Sequence, residues 1–341
     1  MKSTTTSARN RPLGPLSQPR SEDRMKRRPF EFYRNEADFL REQLGSLFGA
    51  TPSAHLVFVP GLLIGLRIFL ADLGIRNISI TSEEYYSCSD FGRLNATLLQ
   101  PHEVVSEVCE RKPDAVIASV VSWRGRRTRI RADFAEIRRK MGPRCPLLIA
   151  DYSHSGAAGW QLVSDLGADV VCGDPCKWLA PSTQPAKLGF IWFCSDEYFA
   201  RIQPIFFPFC LALSAHNPAA QARWVDPSDI DKWSAWYRKR DLTRSVLTAM
   251  FQENLHFAQM LAQRWSLSYV PDTSILWLHN KPNDALFGTL LKHGLVWEKD
   301  DGFRVIARAD IARKFGVLDQ NVRRAATIQG LKPGVQFAKA A

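Results

Sequence analysis

The sequence predicts an α/β fold: a doubly wound, mainly parallel sheet followed by a small C-terminal α/β domain. Three observations carry this. Short apolar runs of strand length alternate with helical segments between residues 55 and 193. Two successive runs lead directly into polar residues, Pro146 to Ala150 into Asp151 and Ala168 to Cys172 into a loop holding Lys177. A long helical stretch then separates this alternation from a second, shorter group of strand patterns.

Taken in order, Phe32, Phe39, Leu40, Leu44, Leu47 and Phe48 fall near helical spacing and predict a first amphipathic helix. His55 to Val59 is a short apolar strand. Pro60-Gly61 opens a helix from Leu62 to Leu73, with Gly74 as its C-terminal cap. Asn77 to Thr81 forms the next strand, and Glu84-Tyr85-Tyr86-Ser87 the loop after it. Ala115 to Val120 is a strand, then a basic helix runs to Arg138-Arg139-Lys140. The strands at 146–150 and 168–172 follow, each after a helical segment, and Lys187 to Phe193 is the last apolar strand of the group. Residues 200–235 are rich in Pro, Phe and Trp and read as irregular; Trp236 to Trp265 reads as one long helix. Ser274 to His279 and the regions of Trp297 and Phe303 are the C-terminal strand candidates.

With 341 residues and 45% hydrophobic content, the chain can bury one large core and a smaller one. The expected division is a basic tail over 1–28, a large domain over 29–235, and a linking helix with a small domain over 236–341. No apolar run reaches the roughly 18 residues that span a bilayer, and no hydrophobic segment marks a secretory signal. The net charge of +11 is concentrated. Residues 1–28 and residues 124–140 each hold eight Lys/Arg against two Asp/Glu. The first stretch reads as a disordered tail, the second as a solvated helix face. An acidic partner or nucleic acid is the sharper alternative for both, but no nucleic-acid-binding motif accompanies them. The seven cysteines lack paired Cys-x-x-Cys spacing, which argues against a disulfide framework or a metal site and suits a reducing cytoplasm.

The chemistry lies at the strand ends, where parallel α/β sheets bind ligands. A carboxylate at Asp151 and an amine at Lys177 suit pyridoxal phosphate (PLP). The amine forms an imine with the aldehyde, and the acid keeps the pyridine nitrogen protonated. The surrounding residues, Asp151-x-x-His154, Gly156, Leu166-Gly167-Ala168-Asp169 and Lys177-Trp178-Leu179, resemble the fold-type I PLP enzymes. The resemblance is to the class V aminotransferase group, which includes cysteine desulfurases, isopenicillin-N-epimerase-like proteins and kynureninases. It is strong over residues 145–193, fair over 55–131 and weak beyond 200.

That resemblance implies roles. Lys177 carries the imine and moves protons at the substrate α-carbon. Asp151 pairs with the pyridinium nitrogen, His154 contacts the phenolic oxygen, and Tyr85 stacks on the ring. Ser122 and Trp123 lie where the group places polar contacts near the cofactor, although Trp123 replaces the usual Asn. Arg304, with Arg308 as rival, matches the arginine that binds the substrate carboxylate.

The phosphate end departs from the pattern. Leu62 and Leu63 stand where hydroxyl residues are usual, leaving backbone N–H groups and the helix dipole. Asp174 would repel a phosphate dianion. Three readings stay open: backbone groups with an unplaced arginine, an Asp174 turned away, or a site decayed or adapted to another ligand.

No cysteine follows Cys210, which argues against a standard cysteine desulfurase. The expected function is a divergent PLP-dependent enzyme acting on an amino acid or amine. Transamination or lyase chemistry ranks ahead of epimerisation, and the resemblance implies a homodimer. The alternative is a non-catalytic relative that keeps the fold as a binding or partner module.

Overall fold

The computed structural model describes residues 35–36, 38–43, 45, 55–59, 61–84, 86–155, 166–174, 189–196, 227–238, 243–269, 271, 273–299 and 302–314. The basic tail and the residues around Lys177 lie outside these.

The large sheet has seven strands: β1 (Leu56–Val59), β2 (Asn77–Thr81), β3 (Asn95–Leu99), β4 (Ala115–Ser119), β5 (Leu147–Asp151), β6 (Val170–Gly173) and β7 (Gly189–Phe193). Their spatial order is β1-β7-β6-β5-β4-β2-β3. The run from β3 to β6 is parallel, while β7 is antiparallel to both β6 and β1. Strands β1, β4, β5, β6 and β7 are buried along their whole length, as expected of a sheet covered on both faces.

One face packs against helices α2 (Val104–Arg111), α3 (Ile130–Met141) and α4 (Pro227–Arg238). Val108, Phe134 and Trp233 meet Val116, Leu148 and Phe190 there. The other face takes α1 (Leu62–Asp72), whose Leu66, Phe69 and Leu70 pack on Val59, Ile80 and Ile191. Fully burying each such side chain contributes about 1.5–3 kcal/mol. Helix α1 lies very close to the sheet. A Cβ on Gly65 would stand 2.6 Å from the Val59 side chain, and one on Gly189 would stand 2.9 Å from the Leu62 nitrogen. Two glycines therefore seat the start of α1 against β1 and β7. Gly74 ends it in the left-handed region (φ 71°), with the Ile75 N–H donating back to the Leu70 carbonyl at 3.0 Å.

Helix α5 (Arg244–Arg264) leads to a second sheet of β8 (Ile275–Leu278), β9 (Val296–Lys299) and β10 (Gly302–Ile306), ordered β8-β10-β9 and antiparallel throughout. Helices α6 (Ala285–Lys292) and α7 (Ala309–Lys314) complete this part. Phe257, Leu261, Leu276, Phe287, Leu290 and Val305 form its core. No helix among the described residues is long and apolar enough to cross a membrane.

Two sequence expectations need correction, and one strand was not anticipated. The stretch from Trp236 to Trp265 is not one helix. Thr243 is extended and caps α5, its hydroxyl accepting from the Val246 N–H at 3.3 Å, while Trp236 belongs to α4. Residues 227–235, read as irregular, are helical. Strand β3 went unread because it is an edge strand, mostly exposed or half-buried, with no continuous apolar run. Three basic side chains of helix α3 are paired: Arg138 with Asp169 at 2.6 Å, and Arg139 and Lys140 both with Glu136.

Candidate active site

The parallel strands and β1 deliver their carboxyl ends to one edge of the large sheet. Across that edge, Ser119, Asp151 and Cys172 are in register on β4, β5 and β6. Asp151 is 2% exposed. One of its oxygens accepts the Ser153 N–H at 2.7 Å, turning the chain immediately after β5. The Ser153 hydroxyl in turn accepts the Asp174 N–H at 3.1 Å, and the Tyr152 N–H donates to the Cys172 carbonyl at 2.8 Å. These bonds join the exits of β5 and β6, so Asp151 and the start of the loop that leads to Lys177 are held together. Lys177 and Tyr85 themselves lie outside the described residues.

Glu84, in the exit of β2, is a second buried carboxylate; it accepts the Ser119 hydroxyl at 2.6 Å. Sequence reasoning noted Glu84 only as the neighbour of Tyr85 and did not find its bond to Ser119. Tyr86 follows, buried edge-on to Phe91 with centroids 5.9 Å apart. Burial, then the charges of Asp151, Glu84, Cys172 and Asp174, push its phenol far above the ordinary range. Burial and the charges of Asp151 and Glu84 likewise push the Cys172 thiol well up. Tyr86 and Cys172 therefore keep their protons, and Cys172 is no thiolate nucleophile.

Positive charge enters from the second sheet. Arg304 on β10 is buried, and its Nη1 lies 3.5 Å from Nε2 of His154. A guanidinium can only donate, so in this contact the acceptor role falls to the imidazole. The guanidinium also sits 5.0 Å from the Trp297 ring centroid. Arg308, the rival, is buried too, but only Arg304 is brought to His154 by a hydrogen-bond contact among the described residues.

At the β1 end, α1 begins at this edge with no side-chain cap on Gly61. The Leu62 side chain belongs to the apolar core and Leu63 is half-buried against it, so what Leu62 and Leu63 offer a ligand there is backbone N–H. Ser122 accepts the Arg126 N–H at 3.1 Å, and Trp123 packs on Trp277 of β8. Among the described residues, no cluster of three or more His, Cys, Asp or Glu side chains could hold a metal ion.

The mostly parallel sheet with its reversed strand, helices on both faces and an antiparallel second sheet, is the type I fold of the PLP-dependent transferases. Solved structures share it across nearly the whole chain. Alanine–glyoxylate aminotransferase from Nostoc sp. matches with a TM-score of 0.60 at 11% identity, over 88% of this chain and 87% of its own. A cysteine desulfurase from Thermococcus onnurineus NA1 gives a TM-score of 0.57 at 11% identity, over 86% and 85%. Ureidoglycine–glyoxylate aminotransferase from Bacillus subtilis gives 0.55 at 15% identity, over 91% and 87%. No protein-family model matches the chain, and no curated protein sequence matches it.

Proposed function

We propose that this protein is a PLP-dependent enzyme of class V aminotransferase type, acting on an amino acid or amine through Lys177. The observation that carries the reading is the buried Asp151 carboxylate at the end of β5, on the same sheet edge as the start of α1. The donor set fits the cofactor at both ends. Asp151 offers an acceptor for a protonated pyridine nitrogen, and the first turn of α1 offers backbone N–H groups for a phosphate. When bound, the cofactor supplies an electron-accepting ring that stabilises negative charge at the substrate α-carbon.

The chain's own groups do the rest. Lys177 is the attachment point and then the base that takes or returns the α-proton. His154, beside Arg304, would contact the cofactor's phenolic oxygen. Arg304 receives a substrate carboxylate with its planar fork. Tyr85 provides the stacking face. Transamination or lyase chemistry is favoured over epimerisation, and a homodimer is the expected assembly.

The test is the visible spectrum of the purified protein with added PLP, before and after borohydride. A yellow band, fixed by reduction onto the Lys177 peptide and missing in Lys177→Ala, supports the reading. A colourless protein that takes up no PLP overturns it. That outcome supports a second reading, a binding or partner module on the same fold, which the insertion of Leu62 into the core motivates.

A further inference from the structure

Trp123 occupies a position where the family resemblance expects a polar cofactor contact, yet its ring faces the second sheet. It meets Trp277 of β8 edge to face, with centroids 4.6 Å apart and planes at 84°. The Arg124 guanidinium caps both rings, 4.7 Å from Trp123 and 5.2 Å from Trp277. The next two residues continue the contact. The Gly125 carbonyl accepts the Thr273 hydroxyl at 2.7 Å, and Arg126 lies 5.4 Å over the Tyr269 ring. The Tyr269 hydroxyl accepts the Trp277 N–H at 3.0 Å.

The loop is fixed at its other side as well. The Trp123 N–H donates to the Glu83 carbonyl at 3.1 Å, and its indole N–H to the Ser82 carbonyl at 3.3 Å. Trp277 is directly opposite Arg304 on β10, and Arg304 is directly opposite Trp297 on β9. Paired residues of an antiparallel sheet project from the same face. Trp277, Arg304 and Trp297 thus form one row, with the loop after β4 pressed on its first member and His154 meeting its second.

We propose that Trp123 and Arg124 are positioning residues that lock the second sheet to the loop after β4 and thereby hold Arg304 at His154. Edge-to-face rings and a guanidinium over a ring have preferred geometries, so the contact fixes orientation as well as proximity. Arg124 is exposed, so its removal loosens the lock without opening a core. The lock itself does not depend on the functional reading; its consequence for a carboxylate ligand does.

The test has two arms. In cofactor-free protein, phenylglyoxal labelling of Arg304 is read by peptide mass, with Arg138 as internal control. Arg124→Ala and Trp123→Phe raise the labelling rate of Arg304 about tenfold, Arg138 stays constant, and Arg124→Lys stays near wild type, as loss of a ring–cation contact at a sheet junction predicts. Unchanged labelling of Arg304, or a parallel rise at Arg138, overturns the proposal. In PLP-loaded protein, the reaction with aminooxyacetate is compared with that of methoxyamine, which lacks the carboxylate. Arg124→Ala slows the first only; equal slowing of both overturns the positioning role. Should the wild type take up no PLP, the functional reading falls while the labelling arm still decides the lock.

Discussion

Arg304 and His154 stand 150 residues apart in sequence and meet at 3.5 Å, joining the second sheet to the loop after β5. The contact brings a planar guanidinium fork, the geometry that suits a carboxylate, to the sheet edge beside His154. Trp297 lies against that guanidinium, at 5.0 Å. Lysine would keep the charge, and with it a cation–ring contact, but lose the planar fork. Arg304→Lys is therefore expected to weaken aminooxyacetate binding to the PLP-loaded protein by about 10–100-fold while PLP uptake stays unchanged. Stopped-flow absorbance measures the first quantity and a PLP titration the second. A parallel loss of both would place Arg304 in general folding rather than in carboxylate binding.

At Gly125 the loop after β4 comes hard against the backbone of β8. Its φ is +84°, and an added Cβ would stand 2.2 Å from the Ile275 carbonyl oxygen. Gly142 also has positive φ, 52°, but nothing lies within 4 Å of its Cβ position. Gly142→Ala should cost only the backbone strain, about 1–2 kcal/mol. Gly125→Ala adds displacement of β8 and should cost clearly more, with Arg304 moved from His154 as a consequence. Urea unfolding of both variants checks the order; equal losses would show that the loop and β8 are not in tight contact.

Asp284 ties the end of α5 to the start of α6. Its carboxylate accepts from Arg264 at 2.5 and 3.0 Å and from the Trp265 indole at 2.9 Å, and it caps α6 by accepting the Leu286 N–H at 2.8 Å. The Arg264 bond, followed by those of Trp265 and Leu286, draws its pKa from 3.8 down to about 2. A folded-state pKa below the unfolded value stabilises the fold above pH 4 or so, and that stabilisation is lost as pH falls toward about 2. Asp284→Asn keeps a cap and loses the charge. Its stability should be lower than wild type at neutral pH, and the gap should close between about pH 4 and pH 2. Urea melts across that range give the difference curve; a gap independent of pH would exclude the ionised carboxylate as its source.

The large sheet was readable because strands buried on both faces appear as continuous apolar runs, as Leu147–Asp151 and Gly189–Phe193 do. Their ends also marked the edge where Asp151 and His154 lie. Strand β3 escaped because an edge strand has no such run. The break before α5 rests on one capping threonine inside a helical pattern, and a residue of that type is common in helices too. The contacts that complete the edge were hidden for another reason. Ser119 and Glu84 are 35 residues apart, and Trp123 meets Trp277 only after two sheets have formed. No periodicity encodes such pairs; they follow from strand order, which local patterns leave open.

Leu62 and Leu63 separate structural from ligand-directed roles at the start of α1. Leu62 is 5% exposed within the cluster that includes Val57, Val59 and Leu66, so Leu62→Ala should cost about 2–5 kcal/mol of stability. Among folded molecules its PLP affinity should not change, because the backbone N–H groups at the helix start remain. Leu63 is only half-buried, and Leu63→Thr brings a hydroxyl to the same helix end. A charge-assisted hydrogen bond from that hydroxyl to the phosphate should tighten PLP binding about tenfold. Thermal unfolding and fluorescence titration with PLP read the two effects separately. Loss of PLP affinity in Leu62→Ala without loss of stability would assign that side chain to the ligand, and no gain in Leu63→Thr would show that the phosphate is held elsewhere on the edge.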